Sequence, residues 1–177
     1  KADRLLFTTS LDKVKVQFSL KRVEKAQHGG PPCFRSVIPE TVLRLQRREY
    51  YRLSTPIANP IRCHMNGTRE DGGTFTADLP LLDISGGGVG LMVETGNADD
   101  FPVDASFKDS KINLPEEGLL VVNLVVRNAF DVTTKSGNRY RRVGCEYVDL
   151  PGTRLTMIQR YITRIERERK ARMSGMA

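Results

Sequence analysis

The thirty residues LLVVNLVVRNAFDVTTKSGNRYRRVGCEYV (residues 119–148) decide the fold class. Residues 119–127 are Val- and Leu-rich, the composition of a central strand. Lys135-Ser136-Gly137-Asn138 is a turn, and residues 139–148 form the return strand. The stretch therefore predicts a β-hairpin. Downstream, Leu155, Ile158, Ile162 and Ile165 recur at spacings of three, four and three, with Tyr161 widening the stripe. That period predicts an amphipathic helix, started by Thr153 or Asp149 as cap and ended near Ser174-Gly175.

Upstream the signals stay β. Residues 61–65 predict a strand, with Asn66-Gly67 and Gly72-Gly73 as turns. Residues 74–84 are extended, with Pro80 implying an edge or a bulge, and residues 89–94 predict another strand. Residues 95–115 are polar, hold two prolines, and are expected to be a long loop. Nearer the start, Val14, Val16, Phe18 and Leu20 alternate with polar residues, the mark of a half-buried strand. His28-Gly29-Gly30-Pro31-Pro32 breaks that pattern, and residues 34–38 predict a short strand. Residues 41–45 fit a helical turn or an extended connection. The whole predicts a mainly β protein: a small β-barrel with one amphipathic α-helix packed on it. The first 45 residues look like part of a separate small β domain.

Composition narrows the function. The chain has 177 residues, 39% apolar and 28% charged, enough for a buried core and too apolar for a disordered segment. The longest apolar stretch is eight residues, 119–126, broken by Asn123; a membrane helix needs about twenty. The chain opens on Lys1 with no signal-like segment, which reads as an internal point of a longer chain. Cys33, Cys63 and Cys145 are far apart and odd in number, the pattern of reduced cytosolic thiols. Cys63 and His64 are neighbours that a strand points to opposite faces, so no metal site is expected. Asn66-Gly67-Thr68 fits a glycosylation sequon, but the turn is the better reading.

The net charge of +7 is uneven. Residues 44–52 carry Arg44, Arg47, Arg48 and Arg52 against Glu49. Residues 160–172 carry Arg160, Arg164, Arg167, Arg169, Lys170 and Arg172 against Glu166 and Glu168. These two segments account for all of the excess. Compact clusters suit a small anion or a docking surface better than a long polyanion. Glu166 and Lys170 also form a favourable i,i+4 pair, so the second cluster fits a solvated helix face.

Two patterns carry chemistry: Arg47-Arg48-Glu49-Tyr50-Tyr51-Arg52, and Asp83-Ile84-Ser85-Gly86-Gly87-Gly88-Val89-Gly90. Arginine offers a planar fork to phosphate or to guanine O6 and N7, and its face stacks on rings. An ionised Asp83 only accepts hydrogen bonds, matching the N1–H and N2–H donors of a guanine edge. The Ser85 hydroxyl donates or accepts. Glycines admit a ligand close to the backbone and allow positive φ. Together these residue types can read a guanine nucleotide with its phosphates.

Arg48-x-x-x-Arg52 followed by Asp83-x-Ser85-x-x-Gly88 resembles both signatures of the PilZ domain family. The resemblance extends over about residues 46–170, including RVGCEY (142–147) and the terminal QRYITRIERERK (159–170). The earlier VKVQFSL and IPETVLRLQRREYYR resemble flagellar brake proteins of the YcgR type, which carry a second β-barrel ahead of the PilZ domain. The resemblance implies a six-stranded PilZ barrel with a C-terminal helix, preceded by part of that first barrel. It implies domains at residues 1–45 and 53–177 around a switch linker, 46–52. It also implies a cyclic di-GMP receptor, with no metal, that rearranges on binding and regulates motility as a flagellar brake.

By the same resemblance Arg48 and Arg52 hold phosphates and guanine faces. Asp83 and Ser85 contact a guanine edge, and Gly88, after Gly86 and Gly87, allows close approach. An arginine at position 47 favours an intercalated ligand pair over a single molecule. The implied partners are flagellar motor and basal body proteins, reached from the cytoplasm, with no nucleic acid and no membrane span; a homodimer stays open. An enzyme is not expected: Gly-x-Ser-x-Gly around Ser85 is absent, as are a phosphate-binding P-loop and a G-x-G-x-x-G. The rival readings are a PilZ-like assembly module that binds no ligand, and a basic nucleic-acid-binding barrel. The twelve Phe and Tyr residues form no stacking row that would favour the latter.

Overall fold

The computed structural model describes residues 4–11, 14–46, 48–56, 58–69 and 71–175. The chain divides into two compact units, Lys1–Glu49 and Tyr50–Ala177.

In the first unit, β1 (Leu5–Leu11), β2 (Val14–Leu20) and β5 (Leu43–Leu45) form one antiparallel sheet in the order β1-β2-β5. Phe7 and Phe18 are cross-strand partners whose rings stack with centroids 5.4 Å apart. Strand β1 escaped the sequence reading because Leu5, Leu6 and Phe7 are consecutive, without the two-residue alternation of a half-buried strand. Residues 41–45 resolve to the extended alternative, with Leu45 facing Lys15. A separate hairpin joins β3 (Glu24–Gln27) to β4 (Pro32–Arg35), so the expected strand at 34–38 starts earlier and stops at Arg35. Gly29 and Gly30 take φ of 65° and 116° in its loop, a region open to glycine.

The second unit is a closed six-stranded barrel: β7 (Arg62–Thr68), β8 (Thr74–Ser85), β9 (Gly88–Val93), β10 (Ser106–Leu114), β11 (Gly118–Thr133) and β12 (Arg139–Val148). The ring runs β8-β7-β10-β11-β12-β9 and closes by the β8–β9 pairing. The short β6 (Arg52–Ser54) adds to the second half of β8. Inward residues build a continuous core that includes Leu53, Cys63, Met65, Ile84, Leu91, Ile112, Leu124, Val126 and Val143. At one end of β10, Phe75, Phe101 and Phe107 pack ring on ring at 5.3–6.2 Å. Toward the other end, α1 (Gly152–Met173) buries Ile158 and Tyr161 into the core. Arg164 fastens the helix to the Pro115 carbonyl and to Glu116, and Arg169 fastens it to the Ser54 carbonyl.

Three local expectations are corrected. Residues 95–115 are not a loop: they hold a 3-10 helix, Thr95–Asp100, and β10. The pairing of β10 with β11 shifts register between Phe107 and Ser110, where Asp109 takes φ 52°. This bulge breaks the alternation that would have marked the strand. Asn66-Gly67 is no turn, because β7 runs through it to Thr68, and the reversal into β8 comes later, where Arg69 N–H donates to the Gly73 carbonyl. A Cβ on Gly67 would lie 2.4 Å from the Phe75 ring, so that glycine makes room for an aromatic. The cap position of α1 is Pro151, with no side-chain hydrogen bond, rather than Thr153 or Asp149.

Candidate functional site

The second half of β8 gathers most of the motif residues. In the antiparallel ladder Arg52 faces Ser85 and Ser54 faces Asp83 across β6–β8, while Ser85 faces Gly88 and Asp83 faces Gly90 across β8–β9. Side chains alternate across a strand. Leu53, Ile84, Val89 and Leu91 therefore go into the core, and Arg52, Asp83, Ser85, Gly88 and Gly90 share the outer face. The Arg52 side chain is exposed and makes no hydrogen bond or ion pair among the described residues. Ser85 is buried. Its hydroxyl donates to the Gly88 carbonyl (3.1 Å) and accepts from the Gly87 N–H (3.3 Å), closing the β8–β9 turn.

The glycines are needed for space rather than for backbone conformation. None of Gly86, Gly87, Gly88 and Gly90 has positive φ. A Cβ on Gly88 would stand 2.0 Å from the Cys145 carbonyl oxygen of β12, so this glycine lets two strands approach. A Cβ on Gly86 would stand 2.5 Å from Cδ1 of Tyr50, and one on Gly87 3.1 Å from Cδ2. The Tyr50 ring therefore lies across the turn. Its neighbour Tyr51 hydrogen-bonds Glu166 of α1, which raises the phenol pKa above its ordinary value.

Sequence reasoning missed Arg142. Its Nη2 donates to Asp83 Oδ2 across the width of β9, with the two side chains only 22% and 14% exposed. The pair lies over Gly90: a Cβ there would meet Arg142 Nη2 at 2.8 Å and Asp83 Oδ2 at 2.9 Å. On the next position of that face, the Asn128 amide lies over Gly144, within 2.6 Å of where a Cβ would stand. A signal existed. Val143, Cys145 and Tyr147 alternate inward, which sends Arg142, Gly144 and Glu146 outward.

The structure thus brings together Arg52, Asp83, Ser85, Gly86, Gly87 and Gly88. Arg48 falls in the first unit, its carbonyl accepting from the Gln46 amide at 3.0 Å. Arg47 lies outside the described residues. Two clefts of about 550 and 770 Å³ lie away from these residues, along Arg62, Arg69, Phe75 and Asp100 and along Asp71, Asp99 and Arg141. No group of three or more potential metal ligands occurs among the described residues, and no helix among them is long and apolar enough to cross a membrane.

Comparison with known proteins gives this face a context. The model of the PilZ domain matches residues 46–164, and that of the PilZN domain of the flagellar regulator YcgR matches residues 1–44. Flagellar brake protein YcgR 1 of Dechloromonas aromatica (strain RCB) is 44% identical over 176 residues, covering 99% of this chain and 67% of the relative. Flagellar brake protein YcgR of Azoarcus sp. (strain BH72) is 41% identical, covering 98% and 67%. In fold, the chain resembles the crystal structure of Escherichia coli YcgR in complex with c-di-GMP, with a TM-score of 0.70 and 22% identity over 100% of this chain and 71% of that one. It also resembles the K. pneumonia MrkH–c-di-GMP complex, with a TM-score of 0.69 and 24% identity over 96% and 73%. With its barrel, its Arg-x-x-x-Arg and its Asp-x-Ser-x-x-Gly, the chain belongs to the PilZ family, among the flagellar brake proteins of the YcgR type.

Proposed function

We propose that the chain is a cyclic di-GMP receptor that acts as a flagellar brake. The observation that carries this reading is the outer face itself, where Arg52 and Asp83 stand together on the β6–β8–β9 ladder. The Asp83 carboxylate accepts from N1–H and N2–H of one guanine, and Arg52 supplies its fork to a phosphate or its plane to a base. Gly86 and Gly87 leave the turn low enough for a ring to lie on it, as Tyr50 does. Arg48 and Arg47, in the segment leading to the barrel, supply further guanidinium groups to the phosphates and bases of the ligand. Arg47 adds charge and a stacking plane that favours two intercalated ligand molecules over one.

The linker then works as the switch. A ligand held by residues 46–52 and by the barrel together favours one arrangement of the two domains, 1–45 and 53–177. Its differential affinity for that arrangement drives the change. The reoriented surface meets flagellar motor proteins at the basal body, from the cytoplasm. The chain performs no chemistry on the ligand.

Titration calorimetry with cyclic di-GMP, against GTP and cyclic di-AMP, tests the reading. Selective binding is expected, with stoichiometry near two if Arg47 acts as proposed and near one otherwise. No binding by a folded sample would overturn the receptor reading in favour of a ligand-free assembly module. Spin-label distances between the domains that stay the same with ligand would remove the switch.

A further inference from the structure

Asp83 is not a free carboxylate waiting for a ligand. It is held by Arg142, which reaches over β9 from a strand 59 residues further along the chain. We infer that Arg142 is a positioning residue of the nucleotide site, fixing the Asp83 carboxylate so that it selects guanine; this rests on the cyclic di-GMP reading above.

The contact engages Oδ2. A carboxylate has about four acceptor sites on its two oxygens, so the pair leaves acceptors for the two donors of a guanine edge. An aspartate alone rotates about two side-chain bonds, and both guanine donors are met only in a narrow range of those angles. Arg142 fixes one oxygen and thereby sets the other. Gly90 makes this geometry available, because any side chain at that position would stand between the two groups. Fold stability is a weak account of the same arrangement. A part-buried ion pair spends most of its attraction on its own desolvation and adds little net stability, and a glycine inside a strand lowers β stability. The arrangement instead keeps an oriented carboxylate on the outer face beside Arg52 and Ser85.

The test uses the full chain and two ligands, cyclic di-GMP and its inosine analogue, which lacks the exocyclic N2 amine. If Asp83 reads both donors, wild type should prefer cyclic di-GMP by about tenfold or more, the effect of one hydrogen bond to a charged group. In Arg142→Met that preference should fall below about threefold, while phosphate-driven binding of both ligands persists. Arg142→Leu, which also removes the donor, should behave alike and serves if the Met variant does not fold. An equal loss of affinity for both ligands, leaving the ratio at its wild-type value in a folded variant, would reduce Arg142 to a structural residue and overturn the inference. If wild type bound neither ligand, the receptor reading itself would fall. If wild type bound both equally, the role given to Asp83 and Arg142 would fall while the receptor reading stood.

Discussion

Gly88 separates two readings of one motif. As a ligand-approach residue it would matter only for binding, yet in the barrel it is where β9 crosses close to β12. A methyl group at Gly88 would sit 2.0 Å from the Cys145 carbonyl oxygen and 3.0 Å from Glu146 Cα, both backbone atoms, so no rotamer change relieves the contact. Carbon and oxygen pack at about 3.5 Å or more, so Gly88→Ala must push the strands apart by more than an ångström. Overpacking of this kind costs about 1–3 kcal/mol. Losing a ladder hydrogen bond next to the Gly88–Glu146 pair adds about 0.5–1.5 kcal/mol. A total of about 2–4 kcal/mol is expected, lowering the melting temperature by roughly 5–15 °C for a chain of this size. Differential scanning calorimetry of the unliganded protein measures it directly. A Gly88→Ala variant that melts within about 2 °C of wild type, a small fraction of that expectation, would refute the reasoning and return Gly88 to the ligand.

Other positions give sharper readouts. Arg52→Ala should weaken cyclic di-GMP binding at least about tenfold, the worth of one charge-assisted bond, with an unchanged melting temperature; undiminished affinity would show that the site lies elsewhere. Gly67→Ala should destabilise the barrel by about 1–3 kcal/mol, because the Phe75 ring stands where the new methyl would go, and chemical denaturation would read the loss. Burial pushes the Cys63 and Cys145 thiols up to about 12. A raised acid binds its proton more tightly in the folded state, so stability is full below the ordinary thiol value of 9.0 and falls as pH rises toward about 12. Urea midpoints that drop between pH 8 and 10.5 in wild type, and drop less in a Cys63→Ala/Cys145→Ala double variant, would bear this out; equal slopes would not. A thiol reagent at pH 8 should label the partly exposed Cys33 and spare the other two.

How much of this was legible varied with how local the signal was. The hairpin of β11 and β12 and the terminal helix are written in contiguous patterns, a Val- and Leu-rich run and a 3.6-residue stripe, and both stand where expected. Strand β10 was not legible, because the bulge at Asp109 spoils the alternation of Phe107, Ser110, Ile112 and Leu114. The motif positions Arg52, Asp83 and Ser85 were picked out by their match to the PilZ signatures, and β6 and β8 bring them side by side. The reason for the glycines could not. Positive φ is a local property and was the natural guess, whereas the backbone of β12 behind Gly88 and the Tyr50 ring over Gly86 are tertiary neighbours. Arg142 lay hidden for the same reason: its meeting with Asp83 requires knowing that only β9 stands between β8 and β12.

The Tyr50 ring over the glycine turn bears on how such a receptor signals. On the proposed function the ligand meets a carboxylate fixed by Arg142, an exposed Arg52, and a turn that Tyr50 already covers. Tyr50 already lies on the turn and Tyr51 is tied to Glu166 of α1. A ligand that takes the place of the Tyr50 ring must move the linker, and with it the groups that meet the helix. On the proposed function, binding and conformational change are then one event, because the ligand and the Tyr50 ring compete for the same turn.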